Sequence, residues 1–274
     1  MKETSLISTV LNEESNIEYF MNSIINQTIK PKEFIMVDGG SKDKTFDIIK
    51  KLSKKNKWIK PFQVKGLNIS QGRNYAIKKA KGEIIVTCDA GGKFKGDWFE
   101  KMLSGFNGEV GFGVDKPLVK NKFHKALAKV ILHKNVCGSS RNMIFLKEAW
   151  ASVGGYPEDL LIGEDTLYDE RLRRKGWKFK TIKDAICLWE MREDLNAVRK
   201  QFYRYGYWDG ISYRKYKILP IKHLLASIFP LLLIPLYPIL YPWSRWDLVM
   251  KIRLIKRFRY ATGFWRGYFG MKEF

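Results

Sequence analysis

Cysteine is scarce in this sequence. The three cysteines, Cys88, Cys137 and Cys187, are far apart and form no C-x-x-C pair. This spacing argues against a disulfide framework or a zinc site, and it is typical of a reducing compartment. The first ten residues lack the basic-then-apolar order of a secretory signal peptide. We therefore expect this protein on the cytoplasmic side of the cell.

Acidic residues are also few relative to basic ones. Lys and Arg total 50 against 28 for Asp and Glu, which gives a formal net charge of +22. An excess of this size favours a polyanionic partner such as nucleic acid, anionic lipid or a phosphorylated substrate. The sequence carries no helix-turn-helix, zinc-finger or RNA-binding signature. We therefore expect no nucleic-acid partner.

The first 115 or so residues alternate short β-branched runs with helical patterns. This rhythm predicts an α/β fold with right-handed crossovers, a mostly parallel sheet and flanking helices. Ser15 and Glu18 are spaced as a capping box, and Gly82 is placed to end a helix. The predicted strands cover 5–11, 33–37, 59–64 and 83–88. One predicted helix begins at residue 15, and two more cover 45–54 and 70–80.

The pattern becomes mixed after residue 115. It predicts helices over 123–132, 147–153 and 165–175, with Gly176 ending the last of these, and strands over 142–146 and 178–182. From residue 195 the sequence is aromatic and basic, and then apolar. We expect a catalytic domain over 1–210 and a C-terminal region over 211–274.

Polar clusters follow three of the predicted parallel strands. They are Asn12-Glu13, Asp38-Gly39-Gly40-Ser41 and Asp89-Ala90-Gly91. In open α/β sheets, ligands bind beyond the carboxyl ends of the strands. The topology therefore predicts that these clusters meet at one edge of the sheet.

Four charged residues, two of them in these clusters, each have a functional interpretation and a structural one. Asp38 could accept hydrogen bonds from a base or ribose, or simply form a turn. Asp89 could bind a divalent cation that bridges a diphosphate, or cap a helix. Asp165 could be a general base, or an acid at a helix N-terminus. Arg73 could reach a phosphate, or pair with a surface acid.

Taken in order, these motifs resemble family 2 glycosyltransferases over roughly residues 4–210. Each motif alone is weak, but their order and spacing are specific. The donor half of the resemblance lies in Thr9–Glu14, Val37–Thr45, Arg73-Asn74 and Thr87–Gly91, and the acceptor half in Arg141-Asn142-Met143, Val153–Glu158, Gly163–Leu167 and Gln201–Gly206.

The resemblance implies a GT-A fold and inverting transfer of a sugar from a nucleotide diphosphate sugar. It implies that Asp165, with Glu164 beside it, is the base that deprotonates the acceptor hydroxyl, and that Arg73 lies near the diphosphate. The other implied donor-site residues are Thr9, Leu11, Asn12, Glu13, Asp38, Gly40, Ser41 and Asp89. Those implied on the acceptor and diphosphate side are Gly155, Tyr156, Gln201 and Arg204.

One position departs from the family pattern. The resemblance makes Asp89 the first aspartate of the metal-binding Asp-x-Asp motif, but Gly91 replaces the second aspartate. We expect Mn²⁺ or Mg²⁺ as a cofactor, with Asp89 as its one carboxylate from this motif. Either the protein binds the metal more weakly than the family pattern implies, or the diphosphate and a distant residue complete the shell.

Residues 224–243 form a twenty-residue run without a charge. A helix of that length would span about 30 Å, the thickness of a bilayer core. The run contains four prolines, which oppose a straight span, and basic residues flank both of its ends. We expect a monotopic or re-entrant element on the cytoplasmic face that binds anionic lipid. The alternative is an apolar tail that packs on the catalytic domain or forms a dimer.

The leading hypothesis is therefore sugar transfer from a nucleotide diphosphate sugar to a glycan or lipid-linked acceptor at a membrane. One alternative is a polyprenyl-phosphate sugar synthase, whose phosphate acceptor is already anionic and needs little base. Another is a non-catalytic relative that binds a sugar or a nucleotide.

Overall fold

The computed structural model describes residues 3–131, 139–233 and 247–273 of the 274-residue chain. They divide into two compact units. The first, here called the sheet unit, comprises the described parts of 1–116, 136–159 and 171–190. The second, here called the helical unit, comprises those of 117–135, 160–170 and 191–274. The predicted domain boundary after residue 210 falls inside one helix, Leu195–Tyr216.

The strands of the described residues form one sheet. They are β1 (Thr4–Val10), β2 (Glu33–Asp38), β3 (Ile59–Gln63), β4 (Ile84–Cys88), β5 (Gly92–Phe94), β6 (Val110–Leu118), β7 (Asn142–Leu146) and β8 (Phe179–Glu190). Their order across the sheet is β3-β2-β1-β4-β7-β6-β8-β5.

The helices of the described residues alternate with these strands and then follow them. They are α1 (Ile17–Ile25), α2 (Thr45–Lys55), α3 (Ile69–Lys79), α4 (Trp98–Gly105), α5 (Lys122–Ile131), α6 (Lys147–Ser152), α7 (Glu164–Arg174), α8 (Leu195–Tyr216), α9 (Ile221–Leu233) and α10 (Leu248–Tyr268). The predicted α/β class is confirmed.

The sheet is mixed, so the prediction of a mostly parallel sheet is confirmed only for its N-terminal half. β3, β2, β1 and β4 pair in parallel. The pairs β4–β7, β6–β7 and β5–β8 are antiparallel. Only the parallel half repeats the strand–helix crossover that a sequence pattern reveals. β5 and β6 escaped prediction, and β8 runs eight residues beyond the predicted end at 182.

Two details of the helix ends differ from the prediction. The capping box expected at Ser15 and Glu18 is absent, since α1 begins after Asn16 without a side-chain cap. A capping box forms instead at Asn68 and Gln71, where α3 begins. Gly82 does not end α3; its backbone N–H donates to Ser5 Oγ at 2.8 Å. Gly176, by contrast, ends α7 with a positive φ of 97°, as predicted.

Glycines allow α8 and α10 to pack in close backbone contact in the helical unit. A Cβ at Gly206 would lie 2.0 Å from the carbonyl oxygen of Tyr260, and one at Gly210 would lie 2.0 Å from that of Phe264. Gly263 and Gly267 of α10 approach carbonyl oxygens of α8 equally closely. Residue numbers at these contacts increase in the same direction along α8 and α10, so the two helices run parallel.

Only part of the predicted membrane segment can be compared with the structure. α9 contains residues 224–233 of the segment, whereas 234–243 lie outside the described residues. Within the described ranges, no helix has both the length and the apolar character needed to cross a bilayer.

The glycine contacts lead to a stability prediction. Gly206→Ala should destabilise the fold by about 1–3 kcal/mol, because the added methyl group meets a backbone carbonyl that cannot rotate away. This loss should outweigh the better helix propensity of alanine. Denaturant unfolding measures it, with the exposed α10 substitution Thr262→Ala as the control. Equal stability of the wild type and Gly206→Ala would contradict the packing described.

Candidate active site

The site lies at the edge of the sheet where three parallel strands end. β2, β1 and β4 are neighbours, and they end at Asp38, Val10 and Cys88. The clusters that begin with Asn12, Asp38 and Asp89 therefore emerge at one edge, as the topology predicted. The functional roles of these residues remain predictions.

Hydrogen bonds join the loops that follow β1 and β2. The backbone N–H of Asn12 donates to Ser41 Oγ at 2.8 Å, and the Lys42 N–H donates to Asn12 Oδ1 at 2.9 Å. The Glu13 N–H donates to Thr45 Oγ1 at 2.8 Å. Asn12 has a φ of 54°, a left-handed conformation that asparagine tolerates. Asn12 and Ser41 therefore fix the shape of this rim.

Asp38 has one saturated oxygen and one oxygen without a partner. Its Oδ1 accepts from the backbone N–H groups of Gly40 and Ser41, both at 2.8 Å, and from Gln63 Nε2 at 3.2 Å. Its Oδ2 is buried and has no hydrogen-bond partner among the described residues. An unsatisfied buried acceptor is costly, so this oxygen is suited to an N–H or O–H donor from a ligand.

Two more predicted donor-site residues border these loops. Gly40 has a φ of 99°, and a Cβ there would lie 2.9 Å from Lys65 Cα, so glycine is required. Leu11 exposes 51% of its surface. Thr9 lies in β1, where its methyl group is packed against Gly72 of α3.

Asp89 follows β4 and forms an ion pair with Arg73. Arg73 Nη2 lies 3.1 Å from Oδ1 and 3.3 Å from Oδ2 of Asp89. The Arg73 side chain is only 4% exposed, whereas that of Asp89 is 24% exposed. Arg73 also lies over the ring of Tyr156, 5.3 Å from its centroid. The pair therefore holds one carboxylate in a fixed, partly open position.

Gly155 and Tyr156 lie next to Asn74, the residue after Arg73, and the Tyr156 ring lies under the Arg73 guanidinium group. The Tyr156 N–H donates to Asn74 Oδ1 at 2.9 Å, and its hydroxyl lies 3.0 Å from Ser140 Oγ. A Cβ at Gly155 would lie 2.8 Å from Asn74 Oδ1. Tyr156 is only 2% exposed. Its ring therefore positions Arg73 from within the core.

Glu13 lies in the electrostatic field of neighbouring carboxylates. Its side chain is half-buried, and burial raises the pKa of its carboxyl group above the usual value. A hydrogen bond with Asn16 opposes this shift, while the charges of Asp43 and Asp89 add to the pKa increase. The carboxylates of Asp43 and Asp89 therefore lie close enough to Glu13 to disfavour its ionised form.

The predicted residues of the helical unit have local partners. Glu164 is buried at the start of α7, and the Thr166 N–H donates to Asp165 Oδ1 at 2.8 Å. On α8, Gln201 Nε2 donates to the Tyr205 hydroxyl at 2.8 Å. Arg204 Nε donates to Glu273 Oε1 at 2.8 Å in a part-exposed ion pair. These contacts leave the predicted roles untested.

The structure adds three residues to the edge that sequence reasoning did not assign to the site. β4 and β7 pair Cys88 with Asn142, and Arg141 directly precedes Asn142 at this end of the strand. Asp115 lies on β6, beyond β7, and Ser139 Oγ donates to it at 2.9 Å. Trp189 pairs with Gly92, directly after the Asp89 turn. Arg141 belongs to one of the motifs that carry the family resemblance, whereas no predicted strand ended near Asp115 or Trp189.

A divalent cation fits this edge only together with a phosphate-bearing ligand. Within the described ranges, no three His, Cys, Asp or Glu side chains form a group that could hold a metal ion. Asp89 offers one partly exposed carboxylate. Mg²⁺ sites often combine one or two carboxylates with substrate phosphates and water. Asp89 and a diphosphate would together provide such a set.

Comparison with known protein families agrees with this geometry. The family model described as "Glycosyl transferase family 2" matches residues 5–147, more than half of the 274 residues. The chain belongs to glycosyl transferase family 2. The match contains the β1, β2 and β4 edge and also β7, where Arg141 lies.

Curated relatives of this family 2 member include three enzymes. A cholesterol galactosyltransferase of Borreliella burgdorferi is 31% identical over 87 residues, 32% of this chain and 24% of that protein. A dolichyl N-acetylglucosaminyl phosphate diacetamido-dideoxyglucuronosyltransferase of Methanococcus voltae is 25% identical, and the match covers 78% of this chain and 75% of that protein. A poly-β-1,6-N-acetylglucosamine synthase of Staphylococcus aureus is 24% identical, and the match covers 71% of this chain and 52% of that protein. The chain thus spans about a quarter to three quarters of these relatives.

Solved structures confirm the GT-A-like fold. A Pyrobaculum calidifontis mannosyltransferase in complex with GDP-mannose and Mn²⁺ has a TM-score of 0.65 at 17% identity, covering 94% of this chain and 87% of that one. Residues 1–349 of S. aureus TarS in complex with UDP-GlcNAc have a TM-score of 0.57 at 16% identity, covering 98% and 92%. Their ligands contain different bases, so the shared fold does not determine the base.

The ion pair at the site predicts energetic coupling. Arg73→Gln and Asp89→Asn should each destabilise the protein, because each leaves one partner of a largely buried pair without its counter-charge. The double variant should lose about 1–2 kcal/mol less than the sum of the single losses. Denaturant unfolding of all four proteins measures this difference. Strict additivity would show that the pair does not contribute to stability.

Proposed function

We propose that this protein is an inverting glycosyltransferase that moves a sugar from a nucleoside diphosphate sugar to a hydroxyl group of a glycan or lipid-linked acceptor. The observation that carries the proposal is the shared edge of β2, β1 and β4. At this edge Asp38 has a buried oxygen without a hydrogen-bond partner among the described residues, and Arg73 forms an ion pair with Asp89. Family membership and the nucleotide sugars named for the two similar structures support such a donor.

The donor would bind along this edge. Asp38 Oδ2 would accept a hydrogen bond from the base or ribose, and the loop around Asn12 and Ser41 would fix the rim. Asp89 would lie on the diphosphate side, with its carboxylate oriented by Arg73. A divalent cation, Mn²⁺ or Mg²⁺, would neutralise the departing diphosphate when bound.

Asp165 is proposed as the general base. Its carboxylate would take the proton of the acceptor hydroxyl while that oxygen bonds to the anomeric carbon of the sugar. The bond from this carbon to the diphosphate oxygen breaks, and its electron pair leaves with the diphosphate. The 2.8 Å contact with the Thr166 N–H would orient the base. Attack opposite the leaving group inverts the anomeric configuration.

The curated relatives support a lipid or glycan acceptor. Their names refer to cholesterol, a dolichyl phosphate-linked sugar and a glucosamine polymer. A lipid-linked acceptor remains in the bilayer, so an enzyme that uses it benefits from a position at the membrane. An acceptor of this class is therefore proposed here.

Residues 211–274 are proposed to hold the enzyme at the cytoplasmic face of a membrane. On α9, Ile221 and Leu225 expose 68% and 43% of their surfaces. On α10, basic side chains are exposed at Lys251, Arg253, Arg257 and Arg259. Exposed apolar and basic groups together are suited to an anionic lipid surface.

Replacement of the proposed base should abolish most transfer without loss of donor binding. Asp165→Asn should lower the transfer rate by about 10²–10⁴-fold, because an amide cannot accept the proton of a hydroxyl group. The measurement is single-turnover transfer of a radiolabelled sugar to membrane lipid extract, with donor affinity determined in parallel.

Asp184→Asn removes an exposed carboxylate of β8 and is the matched control; it should transfer sugar at the wild-type rate. Near-wild-type transfer by Asp165→Asn would contradict the assignment of the base and favour a phosphate acceptor. Absence of both transfer and donor hydrolysis in the wild type, tested with each common nucleotide sugar, would refute the proposed enzyme.

The membrane proposal predicts binding to anionic vesicles. Replacement of Lys251, Arg253, Arg257 and Arg259 by Gln should weaken sedimentation with phosphatidylserine-containing vesicles at least tenfold, since each basic residue at such a surface contributes about 1 kcal/mol. The matched control replaces four exposed lysines of the sheet unit, Lys51, Lys54, Lys55 and Lys57. Equal vesicle binding by both variants would contradict a specific role for α10.

A further inference from the structure

Two arginines belong to the elements that border Asp89, Arg73 on α3 and Arg141 directly before β7. Arg73 holds the carboxylate at 3.1 Å. Arg141 directly precedes Asn142, and Asn142 pairs with Cys88, the residue before Asp89. The edge that would receive the diphosphate therefore has a second arginine one residue before the strand that pairs with β4, and the charges of Arg141 and Asp89 both act on the carboxyl group of Asp115.

Arg141 lies against an aromatic ring and within the electrostatic reach of a buried acid. Its guanidinium carbon lies 5.5 Å from the centroid of the Trp189 ring. Asp115 is 8% exposed, and its carboxylate accepts from Ser139 Oγ at 2.9 Å and from Asn142 Nδ2 at 3.2 Å. The charge of Arg141 offsets part of the rise that burial causes in the pKa of Asp115. One carboxylate engages at most two of the five N–H donors of a guanidinium group.

Gly91 borders open space. A Cβ at Gly91 would have no heavy atom within 4 Å. The next residue, Gly92, pairs with Trp189, whose ring lies against Arg141. The position where the family pattern has a second carboxylate is therefore open, and the residue after it pairs with the tryptophan whose ring lies against Arg141. A missing carboxylate weakens the protein's hold on a cation, and a nearby guanidinium can supply positive charge.

We propose that Arg141 binds the diphosphate of the donor and takes over part of the charge neutralisation that a second Asp-x-Asp carboxylate would otherwise provide through the metal. The proposal rests on the proposed function, since it assumes a nucleoside diphosphate sugar at this edge. A planar guanidinium matches a phosphate with two parallel hydrogen bonds. Binding of the diphosphate should therefore persist after the metal is removed.

The experiment is isothermal titration of UDP and of GDP into the full-length protein, in EDTA and in Mn²⁺. For the wild type, whichever nucleotide binds should lose less than about tenfold in affinity on removal of Mn²⁺. Arg141→Gln should bind it at least about tenfold more weakly than the wild type in EDTA, the effect of one charge-assisted contact. Mn²⁺ should restore part of this loss. Arg141→Lys keeps the positive charge but loses the planar guanidinium group that can donate two parallel hydrogen bonds. Its nucleotide affinity in EDTA should lie between those of the wild type and Arg141→Gln.

Gly91→Asp tests the same idea from the opposite direction. A second carboxylate should repel the diphosphate in EDTA and hold Mn²⁺ more tightly. The ratio of the nucleotide affinity in Mn²⁺ to that in EDTA should therefore rise well above the wild-type ratio. The exposed substitution Arg192→Gln is the control for a lost positive charge. Thermal melting confirms that each variant is folded.

Loss of all nucleotide binding by the wild type in EDTA would overturn the proposal. Equal affinity of Arg141→Gln and wild type in EDTA would also overturn it, and would limit Arg141 to its electrostatic effect on Asp115. In both cases binding in Mn²⁺ would leave the proposed glycosyltransferase intact. Failure of UDP and GDP to bind the folded wild type in either buffer would instead refute the proposed donor site, and this inference with it.

Discussion

The ion pair between Arg73 and Asp89 connects the elements on which the candidate site depends. Arg73 comes from α3 and Asp89 follows β4, and Tyr156 lies beneath the guanidinium group. Tyr156 is in turn fixed by Asn74 and Ser140. A helix, a strand end and two loops thus determine where one carboxylate lies. Because the pair is largely buried, its geometry is set before any ligand binds.

The N-terminal half of the fold could be predicted because its signals are local. Apolar strands alternate with amphipathic helices, and this alternation requires parallel pairing. The predicted edge followed from topology alone, since the carboxyl ends of adjacent parallel strands must lie together. Asp38 and Asp89 could therefore be selected as site residues without a structure. The resemblance to family 2 glycosyltransferases added their proposed roles.

The remainder depends on contacts distant in sequence. Arg141 directly precedes β7, which is antiparallel to β4, so the amino end of β7 lies at this edge. The expectation that ligands bind at the carboxyl ends of parallel strands does not select such a residue. Trp189 reaches the edge through pairing with the three-residue strand β5, which has too short a pattern to detect. The capping box was misplaced because the spacing of Ser15 and Glu18 permits a cap but does not determine where the helix begins.

The central claim is that a nucleoside diphosphate binds at the edge formed by β2, β1 and β4. A crystal structure of the protein with the bound nucleotide tests it most directly. The account predicts a base or ribose donor within about 3.2 Å of Asp38 Oδ2, a hydrogen-bond distance, and the diphosphate beside Asp89. A nucleotide bound elsewhere, with Asp38 Oδ2 still unpartnered, would contradict the account.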